Sequence, residues 1–360
     1  GTEGALDLFS SIIVKSLMSI SEKQPIPRAE NIAMFKSNAG NIHDSRIIQG
    51  VAFRRRVLMD SLPNKLSDVK VAVISGDIKI RKMTRTAEIQ ITSADQLEAF
   101  VDAEQDRKNS ISQSLVDSGA SLVLCGGEID RDILHNLADN NILAIGELDS
   151  SEIENSASAT GAKIVDSIAD IERKDLGFCG SVLWERNEAS DMVEDIIRID
   201  GCKKPGLVTI EVGGAGEIAT EEIIRGLHDG LRAVSLAIED QEILPGGGAI
   251  HSRIANAVRV SSESEPGRAR LAMEAFSRAM ETIPGALVEN SGNDVLDSIL
   301  ELRAATRNQE HFMGINENGK ISVIDRAWHP RTVITESLQL ACETTIGMLR
   351  IDQVISSRGD

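Results

Sequence analysis

Leu244-Pro245-Gly246-Gly247-Gly248-Ala249 is the stretch on which the reading of this chain turns. Three consecutive glycines forfeit backbone entropy, which a chain accepts where φ must be positive or where a ligand or another backbone comes close. Taken alone, the triplet is explained as well by a plain flexible turn. Its setting says more. Upstream, Ile224, Leu227, Leu231, Val234 and Ile238 recur at helical spacing through His228-Asp229-Gly230. Downstream the pattern turns almost wholly helical: Met273, Phe276, Met280 and Ile283 share one face, and Ile334, Leu338, Ala341, Thr345 and Met348 another. Between 311 and 326 the helices are interrupted, and Asn316-Glu317-Asn318-Gly319 predicts the turn of a small hairpin.

Toward the N-terminus, residues 206–212 predict a strand stopped by Gly213-Gly214. From about 50 to 201, short apolar runs at 69–74, 122–125, 142–145, 164–165 and 182–184 alternate with helical patterns at 94–116, 129–137 and 151–158. Such alternation predicts an α/β domain with a mainly parallel sheet. No glycine fingerprint follows the first of these strands, which argues against a dinucleotide site. Nearer the start, Leu6, Phe9, Ile13, Leu17 and Ile20 predict an amphipathic helix ended by Pro25 and Pro27. Residues 47–53 predict a single strand entering a new domain.

A chain of 360 residues exceeds what one core usually supports, so two or three domains are expected. Aromatic residues make up 2% and tyrosine is absent, so the cores must be built from Ile, Leu, Val, Ala and Met, and base-stacking platforms are scarce. The net charge of −18 repels phosphate backbones and anionic lipid, which argues against nucleic-acid and membrane partners. Cys125, Cys179, Cys202 and Cys342 form no CxxC pair, and no histidine lies at ligand spacing. They read as reduced, mostly buried thiols of a cytoplasmic protein without a metal. His43, His135, His228, His251 and His311 read as ordinary surface or helix-end residues. No run approaches membrane-span length and no basic-then-apolar leader starts the chain; Gly1-Thr2-Glu3, without an initiator Met, suggests processing or an expression remnant.

Several further stretches, in colinear order with the glycine triplet, resemble the group II chaperonins, the family of the archaeal thermosome and the eukaryotic cytosolic chaperonin. They are Asp44-Ser45-Arg46-Ile47-Ile48-Gln49-Gly50-Val51, Ile91-Thr92-Ser93-Ala94-Asp95-Gln96-Leu97 and Ala159-Thr160-Gly161-Ala162-Lys163-Ile164-Val165. Asp200-Gly201-Cys202-Lys203-Lys204-Pro205, Leu227-His228-Asp229-Gly230-Leu231 and Met348-Leu349-Arg350-Ile351-Asp352-Gln353-Val354-Ile355 complete the set. The resemblance covers nearly the entire chain and implies a chaperonin-like fold: an α/β apical domain, a mixed α+β intermediate domain and a mainly helical, truncated equatorial domain. It places the first intermediate segment at 1–49, the apical client-binding domain at 50–201, the second intermediate segment at 202–241 and part of the equatorial domain at 242–360.

By the same resemblance, Asp229 matches the aspartate that the hinge brings to the nucleotide, and Gly246, Gly247 and Gly248 match a loop near it. The family's Gly-Asp-Gly-Thr-Thr phosphate and magnesium loop and its second phosphate loop have no counterpart in these residues, and His329 stands before Pro330 where the family usually carries an acidic residue. Phosphoryl transfer needs a cradle of donors and Mg²⁺ to offset developing charge. Asp229 and the three glycines are therefore expected to be structural or vestigial, with no cofactor of this chain's own and ATP with Mg²⁺ reserved for a full-length relative.

The implied client-binding protrusion spans about 84–104 and holds Ile89, Ile91, Leu97, Phe100 and Val101; Ile129, Ile133, Leu134 and Leu137 match a second client-facing helix. Amphipathic packing against a core accounts for the same spacings, and for the second helix it is the favoured account. Expected partners are unfolded polypeptides, with a homo-oligomer or co-assembly with chaperonin subunits; the apolar stripes of Met273, Phe276, Met280, Ile334, Leu338 and Met348 would lie uncovered, which implies either local repacking into a smaller bundle or self-association that rises with temperature. The leading expectation is an ATP-independent chaperone-like protein. A piece of an ATP-driven subunit and a non-chaperone interaction module that reuses the apical fold are the alternatives.

Overall fold

The computed structural model describes residues 2–21, 26–37, 40–80, 94–187, 194–214, 217–307 and 311–351. Two compact units divide the chain, Gly1–Arg232 and Ala233–Asp360. Among the described residues no helix is long and apolar enough to cross a membrane.

The first unit holds helix α1 (Thr2–Ser21), strands β1 (Ile32–Lys36), β2 (Arg46–Ile48), β3 (Val51–Arg55) and β4 (Lys65–Ile74), then α2 (Ala94–Ser118), β5 (Leu122–Cys125), α3 (Arg131–Asp139) and β6 (Leu143–Ile145). After these come α4 (Ser150–Thr160), β7 (Ile164–Val165), β8 (Gly177–Asn187), β9 (Glu194–Asp200) and β10 (Val208–Val212). Helix α5 (Glu217–Asp240) contains the boundary between the units.

Two sheets organise this unit. A small one runs β1-β10-β2, and a large one runs β3-β9-β8-β4-β5-β6 with β7 on β4. The stretch predicted as one strand at 47–53 therefore serves both sheets: β2 pairs β10, and β3 pairs β9. Gly50 makes the change of sheet possible, because a Cβ there would lie 2.1 Å from the Ile199 carbonyl oxygen.

The large sheet is mixed, which corrects the mainly parallel expectation. β4, β5, β6 and β7 pair in parallel, whereas β3, β9, β8 and β4 pair antiparallel. The parallel half reads as continuous apolar runs because both faces are covered; all four residues of β5 are buried. Strand β9 carries Asp195, Arg198 and Asp200 and gives no such run. Its charges are answered locally: Asp195 accepts from the Val57 N–H at 2.8 Å and from Arg186 Nε at 3.2 Å.

Helix α3 packs on β6, and α4 on β3, β4 and β8. Asp149 caps α4 in a reciprocal box with Glu152, and Gly161 ends it in the left-handed conformation. The small sheet is fixed to the large one by Glu211 of β10, a buried carboxylate bonded to Arg46 Nε at 2.8 Å and Arg198 Nη2 at 2.7 Å. Burial alone would raise the Glu211 pKa, but the two guanidiniums outweigh it and hold the carboxyl below its ordinary value.

The second unit continues with β11 (Ile243–Pro245), α6 (Ala249–Ser262), α7 (Arg268–Asn290), α8 (Val295–Arg307), β12 (Met313–Ile315), β13 (Ile321–Val323), β14 (Trp328–Pro330) and α9 (Arg331–Leu349). β12 and β13 form the hairpin expected around Asn316–Gly319, and β11 pairs antiparallel with β14. Helices α6, α7 and α8 pack on one another and on β12, with Val288, Ile299, Leu302 and Ile315 in a shared core. Glu281 of α7 is the counterpart of Glu211, bridging Arg259 of α6 at 2.6 Å and Arg303 of α8 at 2.5 Å.

Candidate functional site

Two regions carry the residues singled out in the sequence, one in the large-sheet part of the first unit and one around the glycine triplet. In the first, Ile89 and Ile91 lie outside the described residues. Leu97 falls in the first turn of α2, and nothing of its side chain is described. Phe100 and Val101 follow on the same helix, 46% and 55% exposed, among Glu98, Asp102 and Glu104. Phe100 and Val101 thus leave about half of their apolar surface in water, whereas Leu115, further along the same helix, is fully buried in the large-sheet core.

Ile129 and Ile133 need correction as contact residues. Ile133 is fully buried with Leu134 and Leu137, and Ile129 retains 8% of its surface; all four belong to the core of the large sheet. The cause is the orientation of α3. Asp130 caps it by accepting from the Asp132 N–H at 2.9 Å, and Lys108 of α2 bonds Asp132 at 2.6 Å and contacts Asp130 at 3.3 Å. These polar ties hold the polar face toward α2 and solvent and turn the apolar stripe onto β6 and its neighbours.

Around the triplet, each glycine has a packing reason. Gly246 donates its N–H to the Ala327 carbonyl at 2.8 Å, and the Gly247 carbonyl accepts from the Ile315 N–H at 2.8 Å. The Gly248 carbonyl takes both the backbone N–H and the hydroxyl of Ser252, each at 3.0 Å. Gly247 and Gly248 have φ of +59° and +70°; a Cβ on Gly247 would meet the Ile315 oxygen at 2.6 Å, and one on Gly248 would meet Pro284 at 2.7 Å. The loop is thus held against the β12–β13 hairpin, β14 and α7 by its own backbone.

Two imidazoles lie beside this loop: His329, singled out for its place before Pro330, and His251, expected to be an ordinary surface or helix-end residue. His329 Nε2 stands 3.2 Å from where a Gly246 Cβ would be, and His251 sits half-buried in the first turn of α6. Its Nδ1 is buried with no hydrogen-bond partner among the described residues. Burial first, and the nearby His329 second, lower the His251 pKa below its ordinary value. Only the His329-Pro330 departure pointed to this corner; the burial of His251 has no signature in the sequence.

Asp229 lies on the exposed face of α5, with Leu227 and Leu231 buried on the other. Its carboxylate is 3.8 Å from Arg225 Nη1, both side chains about two thirds exposed (68% and 67%), and Arg225 also holds Glu222. A carboxylate in this setting is a solvated group. No group of three or more potential metal ligands occurs among the described residues.

Comparison with known proteins agrees with this architecture. The TCP-1/cpn60 chaperonin family profile matches residues 2–358. The chain is 33% identical to the thermosome subunit alpha of Archaeoglobus fulgidus, over 99% of this chain and 66% of that one. It is likewise 33% identical to the thermosome subunit beta of Methanothermobacter thermautotrophicus, again over 99% and 66%. The chain thus spans a little under two thirds of the length of these curated relatives. An open-state monomer of a group II chaperonin from Methanococcoides burtonii superposes with a TM-score of 0.67 over 98% of this chain and 82% of that chain, at 24% identity, a likeness of fold. The chain belongs to the TCP-1/cpn60 chaperonin family, on its group II, thermosome-like side.

Proposed function

We propose that this polypeptide captures unfolded chains without hydrolysing nucleotide, through the part of the first unit built on the large sheet. The observation that carries the reading is the exposure of Phe100 and Val101 on α2 while the apolar residues of α3 are withdrawn into the core. A fully buried apolar side chain contributes about 1.5–3 kcal/mol before ordering costs. A few such contacts amount to about micromolar affinity, which suits weak, sequence-tolerant holding. In this reading residues 1–49 and 202–241 act as the intermediate domain, 50–201 as the apical domain and 242–360 as part of the equatorial domain, in a cytoplasmic protein.

The absence of turnover is supported by the state of the two nucleotide-associated motifs. The glycine triplet is engaged with its own hairpin and α7, and Asp229 is solvated beside Arg225. Exposed Leu340, Ile346, Met348 and Leu349 on α9 fit self-association or co-assembly with chaperonin subunits. A second reading, that these residues act as part of an ATP-driven chaperonin subunit, is favoured by the 66% coverage of the thermosome relatives. A heat-labile client protein separates the two. Equal suppression of its aggregation with and without Mg-ATP supports nucleotide-free holding, and suppression that requires Mg-ATP supports the second reading.

A further inference from the structure

The three cysteines in the large-sheet core are not equivalent. Cys125 points its Sγ at the carbonyls of Gly76 and Gly127, 3.0 and 3.4 Å away. Cys179 and Cys202 are 0% and 3% exposed and share the same core. The ladder between β8 and β9 pairs Ser181 with Asp200. One step further, the Gly180 N–H donates to the Gly201 carbonyl at 3.0 Å. Extending that register past the end of β9 sets Cys179 opposite Cys202.

The two glycines draw the backbones together: a Cβ on Gly201 would lie 3.1 Å from the Gly180 Cα. The burial pattern also changes phase at this step on both strands. Buried positions run Gly177, Cys179 and then Val182, Trp184 on one, and Ile197, Ile199 and then Cys202 on the other. Both thiols therefore turn into the core on the same side. Facing residues beside a hydrogen-bonded antiparallel pair have α-carbons about 4.5 Å apart, a separation that a disulfide bridges, its range being roughly 4.4–6.8 Å.

We propose that Cys179 and Cys202 form a reversible disulfide site that ties β8 to the connection between the large and small sheets. Cys202 follows β9 by one residue, Gly201, and its N–H donates at 2.8 Å to the carbonyl of Gln49, which lies between β2 and β3 where the chain passes from one sheet to the other. A bond between the two sulfurs fixes the connection to the interior of the large sheet.

The oxidant is a low-molecular-weight disulfide. One cysteine ionises and its thiolate attacks a sulfur of that disulfide, giving a mixed disulfide and one small thiolate. The second cysteine loses its proton and displaces the remaining small thiolate as the protein S–S bond forms. Two cysteine thiols lose two electrons and two protons, and the external disulfide is reduced to two small thiols. Burial pushes the Cys179 pKa up to about 12, and burial together with Cys179 raises that of Cys202. Exchange at neutral pH is accordingly slow and proceeds through transient opening of the strands.

The test incubates the full chain with oxidised glutathione at mildly alkaline pH, alkylates the remaining thiols and maps the digest by mass spectrometry. The expected product is a peptide pair linked through Cys179 and Cys202, lost in Cys179→Ala and in Cys202→Ala and reversed by dithiothreitol. The oxidised chain is expected to melt about 5 °C above the reduced one. The proposal is overturned if, with circular dichroism unchanged, both cysteines are recovered only as separate glutathione adducts or free thiols, or if either is linked to Cys125 or Cys342 instead.

Discussion

Helices α3 and α9 both carry apolar residues and end in opposite environments. The nine residues of α3 bury Ile133, Leu134 and Leu137 against the large sheet. Of the nineteen in α9, Ile334 is the one buried, and Leu340, Ile346, Met348 and Leu349 are exposed. Periodicity states that a helix has an apolar face; which surface covers that face depends on the strands the chain lays beside it. α3 is flanked in sequence by β5 and β6 and packs on β6, whereas α9 follows the three-residue β14.

The largest expected effect that sharpens this contrast is on the α3 side. Ile133→Ala opens a cavity in a closed core and costs about 2–5 kcal/mol, read as a lower urea midpoint. Leu340→Ala on α9 stays within about 0.5 kcal/mol, and it lowers the rise in light scattering on heating. Equal destabilisation by the two substitutions would break the contrast.

Next in size is Glu281→Gln in the α6–α7–α8 cluster, expected to cost about 2 kcal/mol because two arginines lose their shared carboxylate. Burial raises the Glu281 pKa, and the bonds to Arg303 and Arg259 more than reverse this, leaving it below its ordinary 4.5. The contribution is therefore complete above pH 4.5 and is lost as pH falls through the lower folded-state value. Acid titration of Glu281→Gln should accordingly show a shallower loss of stability below that pH than the parent chain. The same sign applies to Glu211, whose carboxyl is held down by Arg198 and Arg46 against burial.

Smaller again is Gly248→Ala. A Cβ at φ +70°, 2.7 Å from Pro284, strains the loop by about 1–3 kcal/mol, visible as a lower melting midpoint. A neutral result would show that the close packing at α7 relaxes freely. Phe100→Ser on α2 is expected to leave stability within about 0.5 kcal/mol while reducing client capture, the reverse of Ile133→Ala.

Much of the first unit was legible beforehand. Strands β5 and β7 matched their apolar runs, and α2 and α4 began within a residue of their patterns, because apolar runs and helical periodicity are local signals. β9 was not legible, since Asp195, Arg198 and Asp200 break its pattern and find partners only in the folded sheet. The split of residues 47–53 depends on Gly50 meeting Ile199, a contact 149 positions away. At the candidate site, Asp229 and Gly246–Gly248 could be picked out by resemblance, but their solvated or self-packed condition could not. Phe100 and Ile133 look alike in a helical pattern; burial alone separates them.

The most direct test of nucleotide-free capture follows phosphate release and client light scattering in one experiment, with the full chain, Mg-ATP and a heat-labile client. The account predicts suppression of scattering at stoichiometric amounts, unchanged when ATP is withdrawn, with phosphate release no faster than in buffer. Steady phosphate release by the polypeptide alone, or suppression that disappears without ATP, would contradict it.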